Sequence, residues 1–308
     1  MGDVPAYDTL GTVARAIALG GIVVVGGALA FFAGVLRRWR LPPDAQVAEW
    51  SRLAARSCAR AAAVLLLDAP VRLYCQARVL VPPGDPVAPM MANVLRTAWG
   101  QGWLVQCFAS LGVLAGVVLA LRLVRGGWPL ACLSGAALTL SPALMGHAVA
   151  AERFLALSIG ADWLHVSMAS AWLGGVAMLA LIANRALAAN DGPESFARVI
   201  ELFHPLALTC SIGLVVTGVT SLLLRVDHLA DLLHSTYGAL FAVKMILTAC
   251  VVAVGYRHAR RGPAIVRAQG VGALTRTLAL EVVFAVLVIS ATAALVGTSP
   301  PMPDSMPM

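Results

Sequence analysis

Apolar stretches long enough to cross a bilayer recur along this chain, and they constrain its fold more than any other feature. A spanning helix needs roughly 20 mostly apolar residues, and about eight stretches meet that need. They are centred near Val23, Val64, Val113, Leu138, Ala171, Val215, Ile246 and Leu287. The second is the weakest, because Arg56, Arg60, Asp68 and Arg72 interrupt it. Within lipid every backbone N–H and C=O must find a partner inside the protein, so such stretches fold as helices. With 60% hydrophobic and 12% charged residues, no long polar stretch remains to build a soluble domain. The chain is predicted to be all-α, a polytopic membrane bundle of about eight transmembrane helices. Residues 1–298 form one transmembrane domain in this reading, and 299–308 form a tail rich in Met and Pro.

The arginines set the expected orientation. Arg37, Arg38, Arg40, Arg52 and Arg56 fall between spans one and two, and Arg122 and Arg125 between three and four. Arg185 and Arg198 follow span five, and Arg257, Arg260, Arg261, Arg267 and Arg276 fall between the last two spans, with His258 in the same basic connector. The alternate connectors hold few: Arg78, Arg96, Arg153 and Arg225. Basic connectors stay cytoplasmic, so both termini are predicted to be periplasmic. This bias accounts for the net charge of +7 and leaves no soluble basic domain for nucleic acid. Met1–Leu10 carries Asp3 and Asp8 and no basic n-region, so the first apolar run is expected to be a true span rather than a cleaved leader.

Ionisable groups inside a span are costly and usually face a bundle interior, a partner or a pathway. Here they are Asp68, Arg72, Asp162, His165, His204, Lys244 and Glu281. The predicted topology places His147, Asp162, His165 and Lys244 in the outer half, with His204 and Glu281 in the inner half. Two imidazoles at matched depth on adjacent helices, His147 and His165, suggest a metal or haem site. Asp162 and His165 share a helical face at i, i+3, where a carboxylate can orient a ligating imidazole. Met168 extends that face with a thioether, whereas Met145 points to a different face from His147. Lys244, the sole lysine, is expected to pair with Asp162 or Asp68. Glu281 and His204 are expected to pair across spans six and eight as an inner station for a proton or metal ion. The tail offers Met302, Met306 and Met308 between prolines, an extended arrangement suited to capturing a thiophilic ion. Six single cysteines without C-x-x-C read as packing residues, not disulfides. No nucleophile elbow, Walker loop, Rossmann glycine pattern or H-E-x-x-H is present, so no enzymatic reading arises.

From about residue 135 to 301 the chain resembles the copper resistance protein D (CopD) family of bacterial inner-membrane proteins. The matching elements are Gly146-His147-Ala148, Asp162-x-x-His165, Trp172-x-Gly174-Gly175, Thr217-Gly218-Val219, Tyr237-Gly238 followed by Lys244, and Glu281 before Gly297-Thr298-Ser299-Pro300-Pro301. The resemblance implies a copper-binding inner-membrane protein that moves copper, Cu(I) or Cu(II), from periplasm to cytoplasm beside a periplasmic partner of the CopC type. Read together with the residues, it implies a metal site at His147, His165 and Met168, first contacts at the tail methionines, and Asp162, Lys244, Glu281 and His204 as orienting or coupling groups. Two other readings stay open: a b-type haem protein, and a copper donor that assists assembly of a respiratory oxidase.

Overall fold

The computed structural model describes residues 6–38, 44–146, 154–189, 193–224 and 235–298. Among these the chain forms ten α-helices: α1 (Ala6–Gly34), α2 (Asp44–Val79), α3 (Ala88–Val94), α4 (Ala98–Leu121), α5 (Gly127–Met145), α6 (Leu155–Ala169), α7 (Gly175–Ala189), α8 (Pro193–Leu223), α9 (Thr236–Gln269) and α10 (Gly272–Val296). A π-helical turn, Ser170–Gly174, joins α6 to α7, so the two make one continuous apolar rod. His147, Met302, Met306 and Met308 lie outside the described residues.

Seven helical rods among the described residues are long and apolar enough to cross a membrane: α1, α4, α5, α6–α7, α8, α9 and α10. The chain is a multi-pass membrane protein. The eighth expected span is α2, whose arginines and Asp68 exclude it by composition, yet it is a 36-residue helix packed into the bundle. Leu65 meets Gly21, and the Cys58 thiol donates to the Val25 carbonyl at 3.9 Å, so α2 runs antiparallel along α1. Large apolar side chains such as Phe108, Val215 and Ile246 stay exposed on the outside of the bundle, where lipid replaces water as their solvent.

Small residues bring the helices close, as expected where packing rather than hydrophobic exclusion drives association. Gly27 of α1 lies directly on the backbone of Gly174, and a Cβ at either position would collide with the other helix. The π-turn sits at this crossing. The α6–α8 contact runs antiparallel through three rungs: Asp162 with Ser221, His165 with Thr217, and Met168 against Gly213.

One expectation is corrected here. The sequence assigns Arg257, His258, Arg260, Arg261 and Arg267 to a connector, but α9 continues as a helix to Gln269 and breaks only at Gly270, with φ of 82°. At 1.5 Å per residue, a 34-residue helix outruns a roughly 30 Å hydrocarbon core, so its basic end extends beyond the bilayer without unwinding. There Arg267 bonds Glu194 at 2.8 Å and Glu201 at 2.7 Å, tying α9 to the start of α8.

Candidate functional site

Asp162, His165 and Lys244, placed in the outer half by the expected topology, converge on a cavity of about 420 Å³ between α1, α2, α4, α5, α6, α9 and α10. Asp162 and His165 line it from α6 and Lys244 from α9, together with Tyr237, Met145 and Gly146. Arg15 and Arg72 complete its charged wall. Arg72 donates to Gln106 Oε1 at 2.6 Å and to the Met145 sulfur at 3.7 Å, and its guanidinium stands 5.9 Å from the Trp99 ring centre. Arg15 donates to the Ala293 carbonyl at 2.8 Å, so α1 and α10 are joined at the rim.

The hydrogen bonds around His165 assign its tautomer. Thr217 Oγ1 donates its single hydrogen to the Gly213 carbonyl at 2.7 Å, one turn back on α8. With that hydrogen committed, the oxygen 3.0 Å from His165 Nδ1 is an acceptor, an arrangement that favours hydrogen on Nδ1. In the neutral ring Nε2 then holds the basic lone pair, the state a metal ligand requires. Asp162 does a parallel job through a different atom: Ser221 Oγ donates to its Oδ1 at 2.8 Å. The α8 hydroxyls of Thr217 and Ser221 thus hold both His165 and Asp162.

Met168, expected beside His165 as a ligand, packs its sulfur against Gly213 within the apolar core. The thioether on the cavity wall is that of Met145. Among the described residues no three His, Cys, Asp or Glu side chains come together as a ready-made metal cluster.

A second, smaller cavity of about 150 Å³ lies toward the opposite end of the bundle, the inner half in the expected topology, where α7, α8, α9 and α10 meet. The expected partnership of Glu281 with His204 is replaced there. Glu281 Oε2 lies 2.6 Å from His258 Nδ1, and both side chains are buried, while His204 lines the same cavity from α8. His258 Nε2 lies 2.8 Å from Thr277 Oγ1, one turn before Glu281 on α10. A buried stripe on α9, Val251, His258, Gly262 and Val266, carries the helical spacing that marks His258 as inward-facing.

Several side chains of these two clusters escape sequence reasoning. Ser221 and Thr277 read as ordinary span hydroxyls, since nothing local distinguishes them, and Thr217 enters only as part of Thr217-Gly218-Val219, with no role of its own. Arg15 does carry a signal, a charge inside the first apolar run.

A multi-pass all-α bundle with ionisable side chains lining two cavities among the described residues defines the class. The comparisons narrow it. Residues 197–295, spanning α8 to α10, match the family model of copper resistance protein D. The chain is also 27% identical over 219 residues, 70% of its length, to the copper transport protein CutJ of Bacillus subtilis (strain 168). That alignment covers 39% of the relative, so the chain spans well under half of its length. No solved structure matches. Together these support the copper resistance protein D family. Thr217, Ser221, Lys244, His258, Thr277 and Glu281 fall inside the segment matched by the family model, and Asp162 and His165 fall outside it.

Proposed function

We propose that this protein takes copper up across the bacterial inner membrane, from periplasm to cytoplasm, and that the outer cavity binds the ion on the way. The observation that carries the reading is the cavity wall on which His165, tethered through Nδ1 to Thr217, stands beside the Met145 thioether. Met145 supplies a thioether on the same wall. His147, the other imidazole of the proposed site, follows Gly146 in the chain, and Gly146 lines the cavity. Imidazole and thioether together suit copper, the thioether favouring Cu(I).

The charges add selectivity. Among the described residues Arg15, Arg72 and Lys244 surround the cavity against one lining carboxylate, Asp162, so a hard divalent cation that relies on charge alone is repelled. A soft monovalent ion whose affinity comes from N and S bonds loses least. Asp162 and Lys244 hold the register of this wall, and Met302, Met306 and Met308 serve as a collector that raises local copper concentration. A periplasmic chaperone of the CopC type would deliver copper to the same side.

The test is copper accumulation by cells that depend on this protein, in scarce copper, comparing wild type with His165→Ala at equal membrane abundance. The expected result is a several-fold loss of uptake in the variant. Equal uptake contradicts the reading, as does purified protein whose visible spectrum shows stoichiometric haem.

A further inference from the structure

The inner cavity points to a device that copper binding does not require. When Thr277 Oγ1 gives its hydrogen to the Leu274 carbonyl at 3.0 Å, it accepts from His258, and in that arrangement Nε2 carries hydrogen. Nδ1 faces Glu281 Oε2 at 2.6 Å. With Nε2 protonated, Nδ1 and a carboxylate oxygen are both acceptors unless a second hydrogen lies between them. A separation that short requires that hydrogen. The pair therefore holds one bridging proton and is electrically neutral, whether drawn as imidazolium with carboxylate or imidazole with carboxylic acid.

We propose that His258 and Glu281 form a proton-binding site, loaded in this conformation, whose single proton is exchanged during transport. The coupling role rests on the transport reading above. Losing the proton leaves one buried negative charge and two lone pairs facing each other across 2.6 Å, so the pair must open. Space for that movement is present in the adjoining cavity of about 150 Å³. The groups facing it are His204 and Ser211 from α8 and Tyr256 from α9, while the wall on the α7 side is apolar, formed by Trp172, Val176 and Leu179. The proton passes from the bridge to water in that cavity, with no bond to carbon made or broken. Gly255 makes the arrangement possible: a Cβ there would stand 2.9 Å from Glu281 Oε1.

The experiment uses the full chain in proteoliposomes, with Cu(I) supplied outside and a pH gradient imposed or withheld. Wild-type uptake is expected to change several-fold with the gradient. Glu281→Gln keeps a hydrogen-bonding amide against Nδ1 but has no ionisable proton. It is expected to bind copper at the outer cavity with wild-type stoichiometry and to transport indifferently to the gradient. A Glu281→Gln response equal to wild type overturns the proposal. A wild type that accumulates no copper under any gradient overturns the transport reading instead. Infrared difference spectra across pH then judge the proton on their own: an acid or imidazolium band lost in Glu281→Gln supports it, and identical spectra overturn it. Should Glu281→Gln fail to fold, Thr277→Val unties Nε2, and an unshifted infrared pH midpoint in that variant overturns the proposal.

Discussion

His165 and His258 are held by the same device and put to different uses. Each meets a threonine hydroxyl whose own hydrogen is committed to a carbonyl a turn back in its helix, Thr217 to Gly213 and Thr277 to Leu274. The hydroxyl can then only accept, and it fixes which ring nitrogen is protonated. In the outer cavity the fixed nitrogen is Nδ1, which makes Nε2 the basic one on a wall shared with Met145. In the inner cavity the fixed nitrogen is Nε2, and Nδ1 is sealed against Glu281. One tether leaves Nε2 as the basic nitrogen at the cavity proposed for copper. The other closes a ring around a proton. Which nitrogen the threonine holds decides the chemistry, since the side chains are otherwise alike.

Four substitutions can break or sharpen this contrast. The largest effect is expected for His258→Ala, which strands Glu281 in the bundle interior. Removing one member of a buried pair costs about 3–5 kcal/mol, so thermal unfolding of the purified protein should fall sharply while the folded fraction still binds copper. An unchanged unfolding temperature would show that Glu281 has another partner. Next comes Thr217→Val, which releases Nδ1 of His165. Groups that orient a metal ligand contribute about 10- to 100-fold in affinity, and titration against a competing chelator should show a loss of that order. The matched Thr277→Val should leave copper affinity where it was, and a comparable loss in both variants would erase the distinction between the two cavities. Asp162→Asn keeps an oxygen for Ser221 and should weaken copper by less than about tenfold. If it instead lowers unfolding temperature without touching affinity, Asp162 is a register residue only. Truncation after Pro301 is the mildest: slower uptake in scarce copper and little change in plenty, because a collector alters concentration and not the site.

The bundle was legible because composition alone forces helices in lipid, and seven rods follow that rule directly. The helix α2 was legible only in part: its charges argue against a span, while its buried face, with Trp50, Ala54 and Leu65 against the core, depends on neighbours far along the chain. The π-turn at Ser170–Gly174 has no local cause such as proline and sits where Gly27 lets two backbones touch, a contact separated by well over a hundred residues in sequence. Asp162 and His165 were found because i, i+3 spacing is local. Their hydroxyl tethers were not, since Ser221 and Thr217 stand 59 and 52 residues away. His258 was misassigned because its neighbours Arg257, Arg260 and Arg261 point outward from the same helix and dominate the local composition.

The most direct measurement of the central claim is copper content and X-ray absorption at the copper edge for purified, folded protein loaded with Cu(I), wild type beside His165→Ala. The account predicts nitrogen and sulfur scatterers around copper in the wild type, and loss of most of the metal in the variant. Equal copper content with an unchanged nitrogen shell in His165→Ala would contradict it.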